Sequence, residues 1–185
     1  MNLARTSNSD LIDACVKGDG RAYKEVFELF SPKMMSICKR YADGYDEARD
    51  FMQEGFIRVF DNIHKFRGDS SLETWITRIM VNNAITNIRK KAKKAGFVDV
   101  ADLGEDEGPE SDMLDEQAQA MEIEEVLECM QKLPAGYRTV INLYAVDGKS
   151  HKEIAELLGI SESTSKTQLL KARKYLKQLI TLIKK

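Results

Sequence analysis

The sequence predicts an all-α protein made of two small helical domains that are joined by an acidic, flexible linker. Apolar side chains recur at the three- and four-residue spacing of helices in one segment after another. Alternating β-branched runs are nearly absent, and glycines are sparse outside evident boundaries. A chain of 185 residues is long enough for two small domains. We expect the first domain at residues 1–95, the linker at 96–120 and the second domain at 121–185.

Charge is distributed unevenly along the chain, although the formal net charge is only −2. Residues 1–95 carry seventeen Lys and Arg against thirteen Asp and Glu, and residues 129–185 carry eleven against four. Between these basic ends, residues 96–128 carry thirteen acids and no base. The basic ends indicate nucleic acid as a partner. The acidic segment could repel DNA, or lie over a basic surface of this protein or of a partner.

Several classes of function are disfavoured by what the sequence lacks. Cys15, Cys38 and Cys129 are odd in number and lack metal-ligand spacing, so we expect reduced, mostly buried thiols in a cytoplasmic protein. With only His64 and His151, we expect no metal or other cofactor. No stretch approaches a membrane span, so we expect no membrane insertion. We expect no enzyme either, because no nucleophile–base pair or glycine-rich phosphate loop appears.

The first domain is predicted to begin with two helices between Ser9 and Ala42, interrupted at Gly18-Asp-Gly20. Pro32 is predicted to lie in the first turn of a further helix, a position where proline needs no N–H donor.

A polar face is predicted on the next helix, residues 46–65. One side of this helix carries an apolar stripe that includes Met52, Phe56 and Val59 and must face a core. The opposite side carries Asp50, Gln53, Glu54 and Arg58. That side is either an ordinary solvated surface or a surface able to dock a basic partner helix.

An aromatic, hydroxyl-rich and basic segment follows. The helical pattern breaks at Gly68, and Asp69, Ser70 or Ser71 can cap a helix from Leu72 to Lys94. Unpaired bases require aromatic faces for stacking, hydroxyls for base edges and cations for the backbone. In the structural alternative, Trp75 is core and the Lys-rich helix end interacts with its own dipole. The candidate residues are Phe66, Arg67, Ser70, Ser71, Trp75, Arg78, Asn82, Asn83, Arg89, Lys90 and Lys91.

The second domain is predicted to end in a helix-turn-helix. Two earlier helices stop at Leu133-Pro134 and at Asp147-Gly148. Ser150-His-Lys-Glu153 then has the spacing of a capping box, Gly159 fits a helix stop and Ser161 caps another helix. Two short helices joined by a tight glycine turn, the second starting with small polar residues, are typical of DNA-binding motifs.

The last helix offers hydroxyls and an amide for base edges, and cations for phosphates. The alternative is an amphipathic hairpin with a solvated basic face. Ser165 stands where such motifs usually bury an aliphatic residue, and we expect it to soften the packing between the two helices. The candidate residues are Ser163, Thr164, Lys166, Thr167, Gln168, Lys171, Arg173 and Lys174.

The order of these motifs resembles that of a known family. The motifs are Gly18-Asp-x-x-Ala-Tyr, Asp50-Phe-Met-Gln-Glu54-Gly-Phe, Phe66-Arg-Gly-Asp-Ser, Thr74-Trp-Ile-x-Arg-Ile-x-x-Asn82, Leu133-Pro and the closing helix-turn-helix. From about Asp10 to Leu182, the chain resembles a bacterial RNA polymerase sigma factor of the extracytoplasmic-function (ECF) group, in the sigma-70 family. It departs from the family pattern at Ser165 and in its unusually acidic linker.

The resemblance implies separate tasks for region two and region four, the two helical domains of the family. Asp50, Gln53, Glu54 and Arg58 would grip the clamp helices of the largest subunit of core RNA polymerase. Residues 66–75 would capture a flipped base of the promoter minus-ten element. Arg78, Asn82, Asn83 and residues 89–91 would continue along the melting DNA.

Region four would read the minus-thirty-five element as duplex in the major groove, through Lys166, Thr167, Gln168 and Lys171. The acidic linker would thread into the active-centre and RNA-exit channel of the polymerase. The implied partners are therefore core RNA polymerase and promoter DNA, and family members are often held inactive by an anti-sigma factor.

Two other functions stay open at this point. One is a stand-alone helix-turn-helix regulator that binds only duplex DNA, with an effector or dimerisation domain at its N-terminus. The other is an adaptor whose helices bind proteins and whose basic patches are incidental. The polar face at residues 50–58, followed by the aromatic loop, argues against the stand-alone regulator.

Overall fold

The computed structural model describes residues 8–94 and 123–183, within which every regular element is a helix. The chain forms two compact units, Met1–Ala84 and Ile85–Lys185. The prediction of an all-α protein with two domains is confirmed. The predicted linker, 96–120, lies outside the described residues. The domain boundaries 1–95, 96–120 and 121–185 stay a prediction.

The first unit contains α1 (Asn8–Val16), α2 (Gly20–Tyr41), α3 (Tyr45–Asn62) and the beginning of α4 (Leu72–Lys94). A short 3₁₀ turn, Ile63–Lys65, follows α3. The carboxylate of Asp19 caps α2 by accepting a hydrogen bond from the Arg21 amide at 2.8 Å. Large buried side chains from α2, α3 and α4 form the core, among them Val26, Met34, Ile37, Tyr41, Phe51, Phe56, Val59, Ile76 and Met80.

Pro32 lies inside α2, and the expectation of a separate helix beginning there is wrong. Proline removes one backbone hydrogen bond and normally bends or ends a helix. Here Val26 precedes it and Met34 and Ile37 follow it, all buried in the same core. Burial on both sides of Pro32 favours one continuous helix, because ending it there would expose part of that apolar stripe.

Gly55 allows α3 and α4 to approach each other closely. A Cβ atom at position 55 would lie well inside van der Waals contact of the Met80 sulfur. Met80 is fully buried, so its side chain could make room for a Cβ at position 55 only within the core. The glycine therefore sets the distance at which α4 crosses α3 in the first unit.

The second unit contains the remaining described helices: α5 (Ile123–Gln131), α6 (Ala135–Ile141), α7 (His151–Leu158) and α8 (Glu162–Ile183). A π-helical turn, Asn142–Val146, follows α6. The capping box at Ser150 and Glu153 is present, and Gly159 ends α7 with a left-handed φ of 70°. Ser161 accepts a hydrogen bond from the Thr164 amide at 2.9 Å and starts α8. The predicted helix-turn-helix is confirmed.

Arg138 is a buried cation that the sequence did not single out. Its side chain is 3 % exposed, and its Nη1 donates to the carbonyl oxygens of Gln131 at 3.0 Å and Leu133 at 3.3 Å. Carbonyls at a helix C-terminus lack partners within the helix and carry negative partial charge. The guanidinium satisfies two such groups and joins the end of α5 to α6.

The cysteines are buried, free thiols. Burial raises the pKa of Cys38 to about 12, which keeps this thiol protonated. Within residues 8–94 and 123–183, no three His, Cys, Asp or Glu side chains cluster so as to hold a metal ion. Over the same ranges, no helix combines the length and the apolar character that crossing a membrane requires.

Candidate nucleic-acid and partner interfaces

The polar face of α3 forms the first candidate interface. Asp50 and Gln53 are exposed, and Ile57 between the polar side chains is 61 % exposed. Glu54 and Arg58 form an ion pair at 2.9 Å across one helical turn. A half-exposed pair of this kind contributes little to stability. The face, defined as Asp50, Gln53, Glu54, Ile57 and Arg58, can therefore bind a partner without being needed for the core.

An aromatic pair forms the second candidate interface, at the start of α4. The rings of Phe66 and Trp75 meet edge to face, with centroids 5.5 Å apart and planes inclined by 64°. Both rings are half-buried, so each is partly core and partly surface. Arg67 and Ser70 are exposed in the loop between them. This corner can offer aromatic surface, a hydroxyl and a cation to a single base.

Ser71 both caps α4 and lies in the candidate loop. Its hydroxyl accepts a hydrogen bond from the Thr74 amide at 3.1 Å and lies 2.8 Å from the Thr74 hydroxyl. Of the three possible caps in the sequence, the structure selects this one. The cap fixes where α4 begins and so where Trp75 stands.

One face of α4 continues from the aromatic corner. Trp75, Arg78, Asn82 and Arg89 recur at spacings that bring them to the same side of a helix. Arg78 and Asn82 are exposed, as are Arg89, Lys90 and Lys91 in the last turns. Arg78 and Asn82 therefore add a cation and an amide on the same side of α4 as Trp75.

Asn83 does not belong to that exposed face, and its assignment as a DNA-contacting residue needs correction. Its side chain is 1 % exposed, and Nδ2 donates to the Phe51 carbonyl at 2.9 Å. Neighbouring helical residues point about 100° apart. That rotation carries Asn83 from the surface position of Asn82 into the core between α4 and α3.

The third candidate interface is the exposed side of α8. Ser163, Lys166, Thr167, Leu170 and Lys174 are exposed and lie along one side of the helix. The opposite side buries Ser165, Leu169, Ala172 and Leu176 against the rest of the second unit. We call the exposed line, Ser163 to Lys174, the recognition face.

Four predicted residues lie beside the recognition face rather than on its centre. Thr164 is half-buried, and its hydroxyl lies 2.8 Å from that of Ser161. Gln168 is half-buried, with its amide against Gly136 of α6. Lys171 is half-buried, and the exposed Arg173 places its guanidinium 5.9 Å from the Tyr144 ring.

A polar contact connects the two helices of the motif, and the sequence did not predict it. Ser165 is fully buried, and its Oγ lies 2.9 Å from Nδ1 of His151. The hydroxyl is hydrogen-bonded rather than left without a partner, and the expected softening of the packing between the two helices stays a prediction. In the sequence, the sign of this polar contact was a serine at a position where such motifs usually bury an aliphatic residue. Its partner, fourteen residues earlier, could not be identified without the structure.

These helices and surfaces define a class: DNA-binding proteins with two helical units and a helix-turn-helix in the second. The family model "Sigma-70 region 2" matches residues 26–94, and "Sigma-70, region 4" matches residues 123–176.

Curated relatives match most of the chain. The "ECF RNA polymerase sigma factor SigW" of Bacillus subtilis is 32% identical over 171 residues, which cover 88% of this chain and 90% of the relative. The "RNA polymerase sigma-H factor" of Pseudomonas aeruginosa is 27% identical over 182 residues, 92% of each chain. The chain therefore belongs to the sigma-70 family, in its ECF group, and is a promoter-recognising sigma factor.

A solved structure agrees in fold. The sigma factor RpoE, in complex with the anti-sigma factor NepR from Bartonella quintana, matches with a TM-score of 0.50 and 19% identity. The match covers 86% of this chain and 96% of that one. At this identity the similarity concerns the fold alone.

Proposed function

We propose that the recognition face of α8 reads the promoter minus-thirty-five element as duplex, in the major groove. The observation that carries this assignment is the exposed line Ser163, Lys166, Thr167 and Lys174, directly opposite the buried side of α8. Hydroxyls near the helix start suit base edges, and the later cation suits a phosphate. Gln168, Lys171 and Arg173, at the edges of the face, contact the duplex beside it.

The first unit holds the minus-ten element as unpaired strand. Phe66 and Trp75 supply aromatic surface to a base that has left the stack, and Arg67, Ser70 and Ser71 line the same corner. Arg78 and Asn82, followed by residues 89–91, continue along the melted strand. Removing a base from the stack costs a few kcal/mol, which these contacts and those of the polymerase must offset. Asn83 is not part of this surface.

The polar face of α3 binds the clamp helices of core RNA polymerase. Its mixture of acid, amide and one exposed aliphatic side chain suits a basic partner helix, and it lies opposite the buried stripe of α3. Catalysis then belongs to the polymerase, so the chain is not itself an enzyme, and it acts in the cytoplasm. An anti-sigma factor would inactivate it by covering the polymerase-binding surface.

Region two at residues 1–95 and region four at 121–185 would then hold one promoter at two places. The acidic segment 96–120 would connect them through the polymerase active-centre and RNA-exit channel.

Run-off transcription with purified core polymerase tests this function. Together with a genomic template library, the chain should produce transcripts that start at specific sites, and core enzyme alone should not. A stand-alone regulator would bind duplex fragments without polymerase and would yield no new start sites. That second result would reject the proposal.

A further inference from the structure

We propose that His151 is a positioning residue for promoter recognition, because its bond to Ser165 sets the angle at which the recognition face of α8 is presented. This inference rests on the proposed reading of the minus-thirty-five element by α8. His151 itself is the first residue of α7 and is not on the recognition face.

The bond joins the two helices at the point where their relative orientation matters most. Ser165 lies in the first turns of α8, between Thr164 and Lys166, and it is fully buried. An apolar contact at this place would be non-directional. A hydrogen bond of 2.9 Å restricts both the distance and the angle between its partners. It therefore limits rotation of α8 about its axis, and such rotation would displace Lys166 and Thr167 from base edges.

The imidazole is held in turn by the π-helical turn. The His151 ring stacks on the Tyr144 ring, with centroids 4.8 Å apart and planes inclined by 23°. Tyr144 also lies beneath the Arg173 guanidinium. The ring position is thus held by a second contact besides the hydrogen bond to Ser165. One continuous set of contacts therefore runs from Tyr144 in the π-helical turn, through the His151 ring, to the buried hydroxyl of Ser165.

The charges around His151 favour the neutral ring. Burial lowers its pKa, and Lys166 and Arg173 on α8 lower it further, while Glu162 on the same helix raises it. A proton on the ring would place a third positive charge beside Lys166 and Arg173. We therefore expect protonation to push the start of α8 away from α7 and to weaken base reading.

The sign of this pH effect separates positioning from simple attraction. A cation near DNA ordinarily strengthens binding to every sequence, because it neutralises phosphate charge. If His151 acts by positioning, lowering the pH from neutral through its folded-state pKa, which lies below the ordinary value of about 6.5, protonates the ring and reduces discrimination between sequences. If it acts only through charge, the same change strengthens all binding and leaves discrimination unaltered.

The experiment uses the full chain assembled with core polymerase, and duplexes randomised in the upstream element. Wild type first selects its preferred duplex. The measured quantity is the ratio of Kd for an unselected duplex to Kd for the selected one. His151→Leu and Ser165→Ala should each lower this ratio by about tenfold, a loss comparable to one good base contact. Ser165→Ala keeps the volume of the site almost unchanged. It therefore tests the same hydrogen bond if the His151→Leu protein does not fold.

Two further variants control the interpretation. His151→Asn places a polar atom where Nδ1 stood but cannot titrate, so it should retain the ratio within about twofold and remove its pH dependence. His64→Asn alters the chain's other histidine, which is exposed in the first unit, and should behave as wild type.

Unchanged ratios in folded His151→Leu and Ser165→Ala would overturn the inference and leave the assignment of α8 standing. If the wild type prefers no upstream duplex, both the His151 inference and the assignment of α8 to the minus-thirty-five element are overturned.

Discussion

The side-chain amide of Asn83 donates a hydrogen bond to the backbone carbonyl of Phe51, at 2.9 Å in the interior of the first unit. The bond connects α4, which carries the proposed minus-ten surface, to α3, which carries the proposed polymerase surface. Gly55 and Met80 meet at the same pair of helices. These buried contacts belong to neither of the two proposed binding surfaces, yet they fix the positions of the two surfaces relative to each other.

Substituting Asn83 should affect stability, whereas substituting Asn82 should affect DNA. Asn83→Ala removes a buried hydrogen bond and leaves a small cavity, so the first unit should lose about 1–3 kcal/mol. Asn82→Ala changes an exposed side chain and should alter stability by less than about 0.5 kcal/mol while reducing promoter melting. Hydrogen exchange at α3 and α4 amides measures the first effect, and permanganate reactivity of melted thymines measures the second. Equal stability losses in both variants would contradict the assignment of these two positions.

Gly55→Ala should destabilise the crossing of α3 and α4. The added methyl group meets the buried Met80 sulfur, and overpacking of this kind costs about 1–3 kcal/mol. Gly20→Ala is the matched control, because an added Cβ there has nothing within 4 Å and the residue begins α2. The control should be neutral or slightly stabilising. Denaturant unfolding, followed by the fluorescence of the single tryptophan Trp75 in the same unit, compares the two variants.

Arg138→Met should destabilise the second unit by about 2–3 kcal/mol, since it removes charge-assisted hydrogen bonds to buried carbonyls. Arg138→Lys should recover only part of this loss, because an ammonium group cannot reproduce the planar fork of the guanidinium. Hydrogen exchange at α5 and α6 amides reports on the affected region. Full stability in the methionine variant would mean that these hydrogen bonds do not hold α5 on α6.

The capping box should make the stability of α7 depend on pH. Hydrogen bonds from the backbone and hydroxyl of Ser150, and then the charge of Lys149, hold the pKa of Glu153 below its ordinary value. A lowered folded-state pKa stabilises the protein above the ordinary value of about 4.3, and this contribution is lost as the pH falls through the folded pKa. Glu153→Gln should remove this part of the pH dependence of α7 amide protection. Glu156→Gln, on the same helix and also exposed, should keep it.

Gln53→Ala combined with Glu54→Ala should weaken binding to core polymerase without unfolding the first unit. Both side chains lie on the polar face of α3, and the lost Glu54–Arg58 pair accounts for only about 0.3–0.5 kcal/mol of stability. Glu28→Ala is the control, since it breaks a similar exposed pair with Lys24 on α2. Co-purification with core polymerase compares the double variant with this control, which should bind as the wild type does. Wild-type binding by the double variant would remove the polymerase assignment.

Local features were readable from the sequence because their atoms lie within a few residues of one another. The capping box of Ser150 and Glu153, the left-handed Gly159 and the cap at Ser161 each depend on contacts inside one helical turn. Helical spacing of apolar residues likewise reveals which side of α3 or α8 is buried. The sequence by itself therefore determined most of the helices, the two-domain order, the helix-turn-helix and the family resemblance.

Tertiary structure decided the features whose partners are distant in the chain. Asn82 and Asn83 are chemically identical neighbours, and the carbonyl that satisfies the buried amide of Asn83 lies thirty-two residues away in the chain. Pro32 continues α2 because burial on both sides outweighs its local tendency to interrupt a helix. From the sequence alone, Ser165 is a polar residue at a position that usually holds an aliphatic one. The structure shows that it is hydrogen-bonded to His151. Propensity and spacing act over one or two turns, whereas these outcomes depend on which groups packing brings together.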